Sequence, residues 1–366
     1  MSIFKSAEVW FRTQVVHLLK FIAHRNRPLP SHVDFNACKF LFVRNDRIGD
    51  VLVSSPIIYH LKNKYPNATL DFFLSEKNHF VLENEPLVRR RWLYNKRLID
   101  TIKLLSAIRR EHYDFVVDLW DAVSSTSTVI CLLSGAKWSV GLEKENAFVY
   151  DIRVPLFSRS DTHIVDRLAM LLTPFGIDGA NVPLILRYTV SDESRRFAKA
   201  FVSEHRLDSY FRVGININAG TEVRFWGVEN FQELIRRLSA EHPEMRFIIM
   251  HKLGERERAH AIAAPFPTAI VGPETPVFDQ FAALIEKMNF LITPDTSAVH
   301  LAAAFQVPIV ALYVQSAAEF AIWSPYGVEH ESLVTPVSDL KTIACSDVHD
   351  AVNRLYERVF HRVKAN

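Results

Sequence analysis

Short apolar runs alternate with longer amphipathic stretches along most of this 366-residue chain. Residues 39–43 (KFLFV) form such a run before a turn, and residues 50–65 then show the periodicity of a helix. Another run occupies residues 115–119, and after Pro183 the alternation starts again with residues 213–217. Buried parallel strands read as short continuous apolar runs, and strands that alternate with helices indicate βαβ units. The alternation therefore predicts an α/β fold with parallel sheets.

The alternation occurs in two series, which predicts two doubly wound domains. Hydrophobic residues make up 49% of the chain and charged residues 23%, a composition that can fill two cores. We expect one domain over residues 38–180 and a second over residues 181–345. Residues 1–37 form an N-terminal extension, and residues 346–366 form a C-terminal helix. Ligands of such sheets bind beyond the carboxyl ends of the strands, so two domains facing a cleft would carry their functional residues in the loops after the strands.

The same periodicity predicts the remaining elements. The further strands expected are residues 68–74, 246–250, 289–293 and 309–313. The further helices expected are residues 98–111, 159–176, 229–241, 278–288, 297–305 and 347–363.

Charge and cysteine content exclude some classes of protein. Lys plus Arg number 43 against 41 acids, and no basic face is evident, so we expect no nucleic-acid partner. The cysteines Cys38, Cys131 and Cys345 lie far apart and have no metal-ligand spacing. Such a sparse, odd set is typical of reduced thiols in a cytoplasm.

The N-terminal segment, residues 7–27, combines apolar positions at helical spacing with a basic face that carries no acid after Glu8. It lacks the uncharged core and cleavage site of a signal peptide, and the chain has no uncharged apolar stretch of the length that spans a bilayer. Two interpretations stay open: a helix packed on the body of the protein, or a helix on the membrane surface whose cations meet anionic lipid.

The first candidate site loop, residues 44–51 (RNDRIGDV), lies between the first strand and its helix. Asp50 at the helix start either caps the helix or acts as a general base that takes the proton of an acceptor hydroxyl. Arg44 and Arg47 suit a phosphorylated or acidic acceptor, or are solvated charges. With its single glycine, the loop matches neither a Walker phosphate loop nor a dinucleotide fingerprint.

The second loop, residues 218–226 (NAGTEVRFW), brings small residues, a hydroxyl, a cation and an aromatic side chain together after a strand. A diphosphate leaving group needs hydrogen-bond donors and positive charge as its own charge grows. Thr221 and Arg224 can supply these, or the loop is a turn over a packed Trp226.

The third loop, residues 293–304 (TPDTSAVHLAAA), ends a strand and begins a helix of small residues. The N–H groups at such a helix start offer a site for a diphosphate. Alternatively, Asp295 caps the helix and His300 is a satisfied histidine of the core.

In this order and at these separations, the three segments resemble the family 9 glycosyltransferases, the lipopolysaccharide heptosyltransferase family. That family has an arginine-containing loop with Gly-Asp-Val followed by Pro and Tyr-Pro, which correspond here to residues 49–51, Pro56 and residues 65–66. Its small-residue loop with a cation and Trp corresponds to residues 220–226, and its Asp-Thr-Gly-x-x-His-Leu-Ala-x-Ala helix start to residues 295–304. Weaker correspondences are Asp118, Gly141, His163 and Arg167. The resemblance extends over roughly residues 38–360.

The resemblance implies a GT-B architecture, with the acceptor side in the first Rossmann-like domain and the donor side in the second. It implies an inverting, metal-independent transfer of a heptose or related sugar from an ADP-sugar to a lipopolysaccharide-core or other lipid-linked glycan, with the ADP-sugar as co-substrate and no further cofactor. It also implies a cytoplasmic enzyme that works at the inner face of the bacterial inner membrane. By matching position, Asp50 is the implied base, and the implied acceptor contacts are Arg44, Arg47 and Asp118. The implied donor contacts are Gly220, Thr221, Arg224, Glu255, Asp295, Thr296, Ser297 and His300.

Two positions depart from the family pattern. Ser297 stands where the family has glycine, and Arg224 stands where lysine is common. Both cations bind phosphate, arginine as a planar fork and lysine as a point charge. Together the two departures leave open a donor sugar other than a heptose. The alternative functions are a GT-B nucleotide-sugar epimerase and a catalytically silent protein that binds a sugar nucleotide or glycan.

Overall fold

The computed structural model describes Lys20, residues 25–314 and residues 317–365, except for the side chains of residues 317–319 and 360–365. These residues form two compact units. The first runs to Ser158 and includes Ile164–Leu184, whereas the second includes Arg159–His163 and continues from Ile185. Each unit is built on one six-stranded sheet.

The first sheet is parallel throughout and has the strand order β3-β2-β1-β4-β5-β6. Its strands are β1 (Lys39–Val43), β2 (Thr69–Ser75), β3 (Arg90–Tyr94), β4 (Phe115–Asp118), β5 (Trp138–Leu142) and β6 (Ile152–Val154). The central strands are buried on both faces, which explains why they read as continuous apolar runs. The order reverses between β1 and β4, and this switch point is where doubly wound sheets bind ligands.

The helices of the first unit cover that sheet. They are α1 (Ile48–Leu52), α2 (Ser55–Lys64), α3 (Leu98–Arg110), α4 (Ser125–Leu133) and α5 (Ile164–Ala169). A cluster of aromatic rings fills one face of the sheet, with Phe115 stacked on Phe40 at 5.2 Å between centroids and Phe175 edge-on to both. Such pairs add directional packing to the burial of apolar surface.

The second sheet repeats the topology of the first. Its strands are β7 (Phe211–Asn216), β8 (Met245–Met250), β9 (Ala269–Val271), β10 (Phe290–Pro294), β11 (Ile309–Val314) and β12 (His330–Thr335). All pairs are parallel, and the order β12-β11-β10-β7-β8-β9 is that of the first sheet when strands are counted from β7. The switch point therefore lies between β7 and β10.

The helices of the second unit are α6 (Asp192–Glu204), α7 (Val228–Glu241), α8 (Arg256–Ala263), α9 (Phe278–Glu286), α10 (Ser297–Ala304), α11 (Ala317–Trp323) and α12 (Cys345–Ala365). Helix α12 packs on α7 and β12, so the C-terminal helix is part of this unit. The predicted fold class, two doubly wound parallel sheets, is confirmed.

Two predicted helices differ from the structure. The helix expected over residues 50–65 is two helices, because the chain turns at Val53 and Ser54 and restarts with Pro56 in the first turn of α2, where a missing N–H costs nothing. The helix expected over residues 159–176 begins only at Ile164 and continues beyond Ala169 as a 3-10 helix that ends at Gly176.

No helix among the described residues is both long enough and apolar enough to cross a bilayer. Most of the N-terminal segment, residues 7–27, lies outside the described residues, so the choice between its two interpretations stays open.

Candidate functional site

In the first unit, the loops that follow β1 and β4 are fastened together at the switch point. The Nη1 atom of Arg44 donates a hydrogen bond of 2.5 Å to the carbonyl oxygen of Leu119. The indole Nε1 of Trp120 donates one of 3.1 Å to Oδ1 of Asn45. Since both loops leave the carboxyl ends of neighbouring strands, these bonds fix the relative positions of residues 44–50 and 118–120.

Arg44 has no exposed surface. Its Nε donates to the carbonyl oxygen of Asp50 at 2.9 Å, and its Nη2 donates to the carboxylate of Asp50 at 3.2 Å. Its Nη1 lies 3.2 Å from Oδ2 of Asp46. Arg44 was predicted to contact the acceptor; in this structure its guanidinium is enclosed and holds the loop in shape.

Asp50 caps the start of α1, one of the two roles that its sequence position left open. Its Oδ2 accepts a hydrogen bond of 3.2 Å from the backbone N–H of Arg47, which satisfies a free donor at the start of α1. Its Oδ1 accepts from Arg44. A carboxylate oxygen has two acceptor positions, so both oxygens can accept a further proton or hydrogen bond while the cap is kept. Arg47 is exposed, and its guanidinium makes no hydrogen bond or ion pair with the described residues.

Asp46 is a buried acid of this loop to which sequence reasoning gave no role. Burial raises the pKa of its carboxyl to about 7, and the charge of Asp50 adds to this effect while the pairing with Arg44 opposes it. Its Oδ1 has no hydrogen-bond partner among the described residues. An Asp in a polar loop reads as a solvated charge, so only the structure could identify this one as enclosed.

Asp118 was also predicted to contact the acceptor, and the structure places it inside the first unit. The side chain is fully buried, and its Oδ2 accepts from Lys144 Nζ at 3.1 Å, from Ser127 Oγ at 2.9 Å and from the Tyr150 hydroxyl at 2.5 Å. Gly141 makes room for this arrangement, since a Cβ there would overlap the Tyr150 ring. Asp118 is thus the acceptor of an internal hydrogen-bond network beneath the loops.

In the second unit, the loops that follow β7 and β10 meet at the corresponding switch point. Buried Asn216 ends β7, and its Nδ2 donates to Thr293 Oγ1 at 2.9 Å and to Thr296 Oγ1 at 3.3 Å. Trp226 at the end of the first of these loops is fully buried. Its Nε1 donates a hydrogen bond of 2.9 Å to the carbonyl oxygen of Ile343. Asn216 was not predicted as a site residue, although a polar residue at a strand end is a usable signal.

Arg224 joins the two loops. Its Nη1 lies 3.3 Å from Oδ2 of Asp295 and donates to the carbonyl oxygen of the same residue at 3.1 Å. Both side chains keep exposed surface, 34% for Arg224 and 17% for Asp295. The arginine therefore stands at the start of α10 with donors left for a ligand.

The start of α10 carries three further predicted donor contacts. Thr296 caps the helix, its Oγ1 accepting from the N–H of Ala298 at 3.3 Å, and Ser297 is half-buried in the first turn. His300 is buried, and its Nδ1 has no hydrogen-bond partner among the described residues. Burial, together with the charge of His163, lowers the pKa of His300 to about 3, so the ring is neutral above that pH.

The remaining predicted donor contacts lie around this centre. Gly220 and Thr221 are exposed, and a Cβ on Gly220 would meet nothing within 4 Å. Half-buried Glu255 pairs with Arg258 at 3.2 Å, and Arg258 in turn pairs with Glu222 and lies over the ring of Phe225. The loops after β7 and β8 are thus linked. The part of the chain that the structure describes contains no group of three or more His, Cys, Asp or Glu side chains placed to hold a metal ion.

The sequence of residues 101–352 matches the model of glycosyltransferase family 9, the heptosyltransferase family. This match covers more than half of the chain. The chain belongs to glycosyltransferase family 9. It is therefore a glycosyltransferase, as the resemblance of its loops implied.

Two proteins of similar sequence have the names of lipopolysaccharide heptosyltransferases. The chain is 24% identical over 290 residues to lipopolysaccharide heptosyltransferase 3 of Escherichia coli, which covers 76% of this chain and 83% of that protein. It is also 24% identical over 330 residues to a putative lipopolysaccharide heptosyltransferase 4 of Escherichia coli strain K12, with 85% of each chain covered.

Solved structures confirm the architecture. The family 9 glycosyl transferase from Veillonella parvula superposes with a TM-score of 0.76 at 19% identity, covering 89% of this chain and 99% of that one. The Escherichia coli heptosyltransferase WaaC, solved with ADP-2-deoxy-2-fluoro heptose, gives 0.68 at 18% identity, with 87% and 99% covered. At these identities the likeness establishes the fold, which is the expected GT-B arrangement of two Rossmann-like units.

Proposed function

We propose that this family 9 glycosyltransferase moves a heptose, or a closely related sugar, from an ADP-sugar to a lipopolysaccharide-core or other lipid-linked glycan. The observation that carries this proposal is the convergence of Arg224 and the start of α10 at the switch point of the second sheet. The assigned names of the relatives support the choice of donor and acceptor.

The second unit has the chemistry that a sugar diphosphate requires. The start of α10 presents backbone N–H groups and the positive end of the helix dipole, both of which favour an anion. Arg224 adds a guanidinium beside it, and Thr221 adds an exposed hydroxyl. We assign to these groups the diphosphate of the donor, with Gly220, Ser297 and neutral His300 completing the donor contacts and Glu255 near the nucleoside.

The first unit supplies the base. We propose that Asp50 accepts the proton of the acceptor hydroxyl while that oxygen forms its bond to the anomeric carbon of the sugar. The bond from that carbon to the diphosphate breaks, and ADP leaves with the electron pair, so the configuration at the carbon inverts. Exposed Arg47 binds acidic groups of the acceptor, and enclosed Arg44 keeps Asp50 in position.

This step uses no metal ion, since the positive charge that stabilises the leaving diphosphate comes from Arg224 and the helix start. The proposal places the protein in the cytoplasm, at the inner face of the membrane that carries the acceptor. We also propose that residues 7–27 contact that membrane.

The first test is nucleotide release from a panel of ADP-, UDP- and GDP-sugars in the presence of a deep-rough lipopolysaccharide extract. We expect release of ADP from ADP-heptose that depends on the extract and is lost in Asp50→Ala. Turnover of UDP- or GDP-sugars in place of ADP-heptose would contradict the assigned donor. Binding of a donor without any turnover would contradict the transfer reaction and favour a silent binding protein.

A further inference from the structure

The outer face of helix α3 combines aliphatic and basic side chains and carries no acid. Leu98, Ile99 and Ile102 are 76%, 67% and 59% exposed, unusual values for large aliphatic residues that follow one another on one helix. The remaining exposed positions of the helix are Lys103, Ser106, Arg109 and Arg110. With 3.6 residues per turn, these seven positions form two adjacent stripes along one side of the helix. We call them the α3 outer face.

The aliphatic residues of this face are not needed to hold the helix on its sheet. The opposite side of α3 already packs into the first unit through buried Ile108 and half-buried Leu104 and Leu105. The single acid of the helix, Asp100, faces away from the exposed stripes and accepts a hydrogen bond of 2.7 Å from Asn95. The α3 outer face is therefore available to something outside the unit.

The cations of this face also form no ion pair within the part of the chain that the structure describes. Lys103, Arg109 and Arg110, together with Lys96 and Arg97 just before the helix, form no ion pair with the described residues. By contrast, Arg89 and Arg90 of the neighbouring strand share Glu111, and Arg89 also pairs with buried Asp71. The basic charge around α3 is thus concentrated on the exposed face. Three large aliphatic side chains and five cations that form no ion pair with the described residues therefore lie on helix α3 and in the two residues just before it.

We propose that the α3 outer face docks the first unit on the surface of an anionic lipid bilayer. Aliphatic side chains that enter the acyl boundary, with cations at the level of the headgroups, are the combination that interfacial helices use. The proposal goes beyond the transfer reaction, because it assigns a docking surface that is separate from residues 7–27 and contains no donor or acceptor contact.

Charge complementarity favours a membrane over other occupants. A two-fold contact between copies of this chain would place the cations of one α3 outer face against those of the other. Residues 7–27 contain no acid after Glu8 that could pair with the cations of the α3 outer face, and Arg25 and Arg27 at their end are held at Asp151 of the first unit. A single-stranded nucleic acid would need aromatic stacking platforms, and the exposed stripes contain no aromatic residue.

The test is sedimentation of the full-length protein with vesicles of phosphatidylcholine containing 30% phosphatidylglycerol, and with vesicles of phosphatidylcholine alone. Neither vesicle contains donor or glycan acceptor, so the result does not depend on the proposed transfer reaction. We expect binding to the anionic vesicles that weakens when NaCl is raised from 0.1 to 0.5 M, since added salt screens the attraction of the cations to the lipid.

Two variants examine the two components of the face. Leu98→Ser/Ile99→Ser/Ile102→Ser should lower the vesicle partition coefficient by about tenfold or more, because three apolar contacts with the acyl boundary are lost. Lys103→Gln/Arg109→Gln/Arg110→Gln should lower binding to the anionic vesicles by a similar factor and remove most of its salt dependence. The matched controls lie in the second unit: Ile185→Ser/Val277→Ser/Val337→Ser, with exposures of 48%, 52% and 55%, and Arg196→Gln/Lys199→Gln. The controls should bind as the wild type does.

Three outcomes would overturn the proposal. The first is no binding of the wild type to anionic vesicles. The second is unchanged binding of both α3 variants, which would assign the membrane contact to another surface, such as residues 7–27. The third is a wild-type dimer in light scattering that the Leu98→Ser/Ile99→Ser/Ile102→Ser variant converts to a monomer, which would make the face a contact between copies of the chain.

Discussion

Arg224 holds Asp295 at two points, with its Nη1 atom 3.3 Å from the carboxylate Oδ2 and 3.1 Å from the backbone carbonyl oxygen. This pair connects the loop after β7 with the loop after β10 at the start of α10. The strand order of the second sheet, which places β7 beside β10, thus brings together two segments that are about seventy residues apart in sequence. The donors of Arg224 that Asp295 does not use are the main source of positive charge that we assign to the donor diphosphate.

The first prediction concerns the role of Arg224 in phosphate binding. Arg224→Met should lower kcat/KM by about 10²- to 10³-fold, the usual effect of removing one donor that stabilises transition-state charge. Arg224→Lys should retain much more activity, since a point charge remains, and its main defect should be a higher KM for the donor. The measurement is steady-state nucleotide release.

The matched control is Arg236→Met, an exposed arginine of α7 whose recorded partner is Glu233 three residues earlier. Such surface pairs contribute little to stability, so this variant should behave as the wild type does. Equal losses in Arg224→Met and Arg236→Met would contradict the assignment of Arg224 to the donor.

The second prediction separates the two roles of Asp50. In Asp50→Asn the amide oxygen can still accept the Arg47 N–H, so the cap at α1 remains, but the side chain can no longer take a proton. We expect kcat to fall by about 10²- to 10⁴-fold, the contribution typical of a general base. The measurement is kcat, combined with thermal unfolding to verify that the variant is folded.

Asp46→Asn is the control, because Asp46 pairs with the same Arg44 and lies in the same loop. It alters the other carboxyl group that contacts Arg44, one whose pKa is raised to about 7, and should reduce kcat far less. Equal losses of activity in the two variants would mean that Asp50 matters through Arg44 and not as a base.

The third prediction is a pH dependence that originates in His300. The pKa of its ring is lowered to about 3 in the folded protein by burial and by the charge of His163, whereas an unfolded chain has the ordinary value near 6.5. As the pH falls below about 6.5, the unfolded state binds the proton first, so the folded state loses stability down to about pH 3. The loss amounts to at most about 1.4 kcal/mol per pH unit.

Denaturant unfolding of the wild type and of His300→Gln between pH 4 and pH 8 measures this effect. The free energies of unfolding should run parallel above about pH 6.5, and the wild type should fall more steeply below it. Parallel curves over the whole range would show that His300 titrates normally and is not enclosed.

The fourth prediction compares two glycines. A Cβ on Gly220 meets nothing within 4 Å, whereas one on Gly141 would overlap the ring of Tyr150. Gly220→Ala should therefore leave the free energy of unfolding unchanged to within about 0.5 kcal/mol. Gly141→Ala should lower it by about 1–3 kcal/mol, the usual cost of overpacking.

If the donor approaches the backbone of Gly220, the methyl group introduced by Gly220→Ala should weaken donor binding and raise the KM for the donor, although the fold is intact. Isothermal titration with ADP measures the change in binding affinity. An unchanged affinity in Gly220→Ala would remove Gly220 from the donor contacts.

Several elements with a distinct local pattern were predicted from the sequence. The apolar run of β1 and the small-residue helix α10 were predicted within one or two residues, because a fully buried strand and a closely packed helix each have a distinct composition. By contrast, α4 (Ser125–Leu133) was assigned no element, since its Ser and Thr residues favour turns and caps as much as helix.

Burial of charged residues could not be read from the sequence. Asp118 was assigned to the acceptor by matching position in the family, and Arg44 also because a guanidinium at a strand end suits an acidic acceptor. Their enclosure depends on partners distant in sequence, such as Leu119 for Arg44 and Lys144 for Asp118. The family resemblance identifies positions, but the hydrogen-bond partners in this chain decide whether a side chain can touch a substrate.

The most direct test of the account is mass spectrometry of a deep-rough lipopolysaccharide acceptor after incubation with ADP-heptose and the protein. We predict that the wild type adds a single heptose residue to the acceptor, with one ADP released per sugar transferred, and that Asp50→Asn adds it about 10²- to 10⁴-fold more slowly. An acceptor of unchanged mass in the presence of wild-type protein that binds ADP-heptose would contradict the proposed transfer.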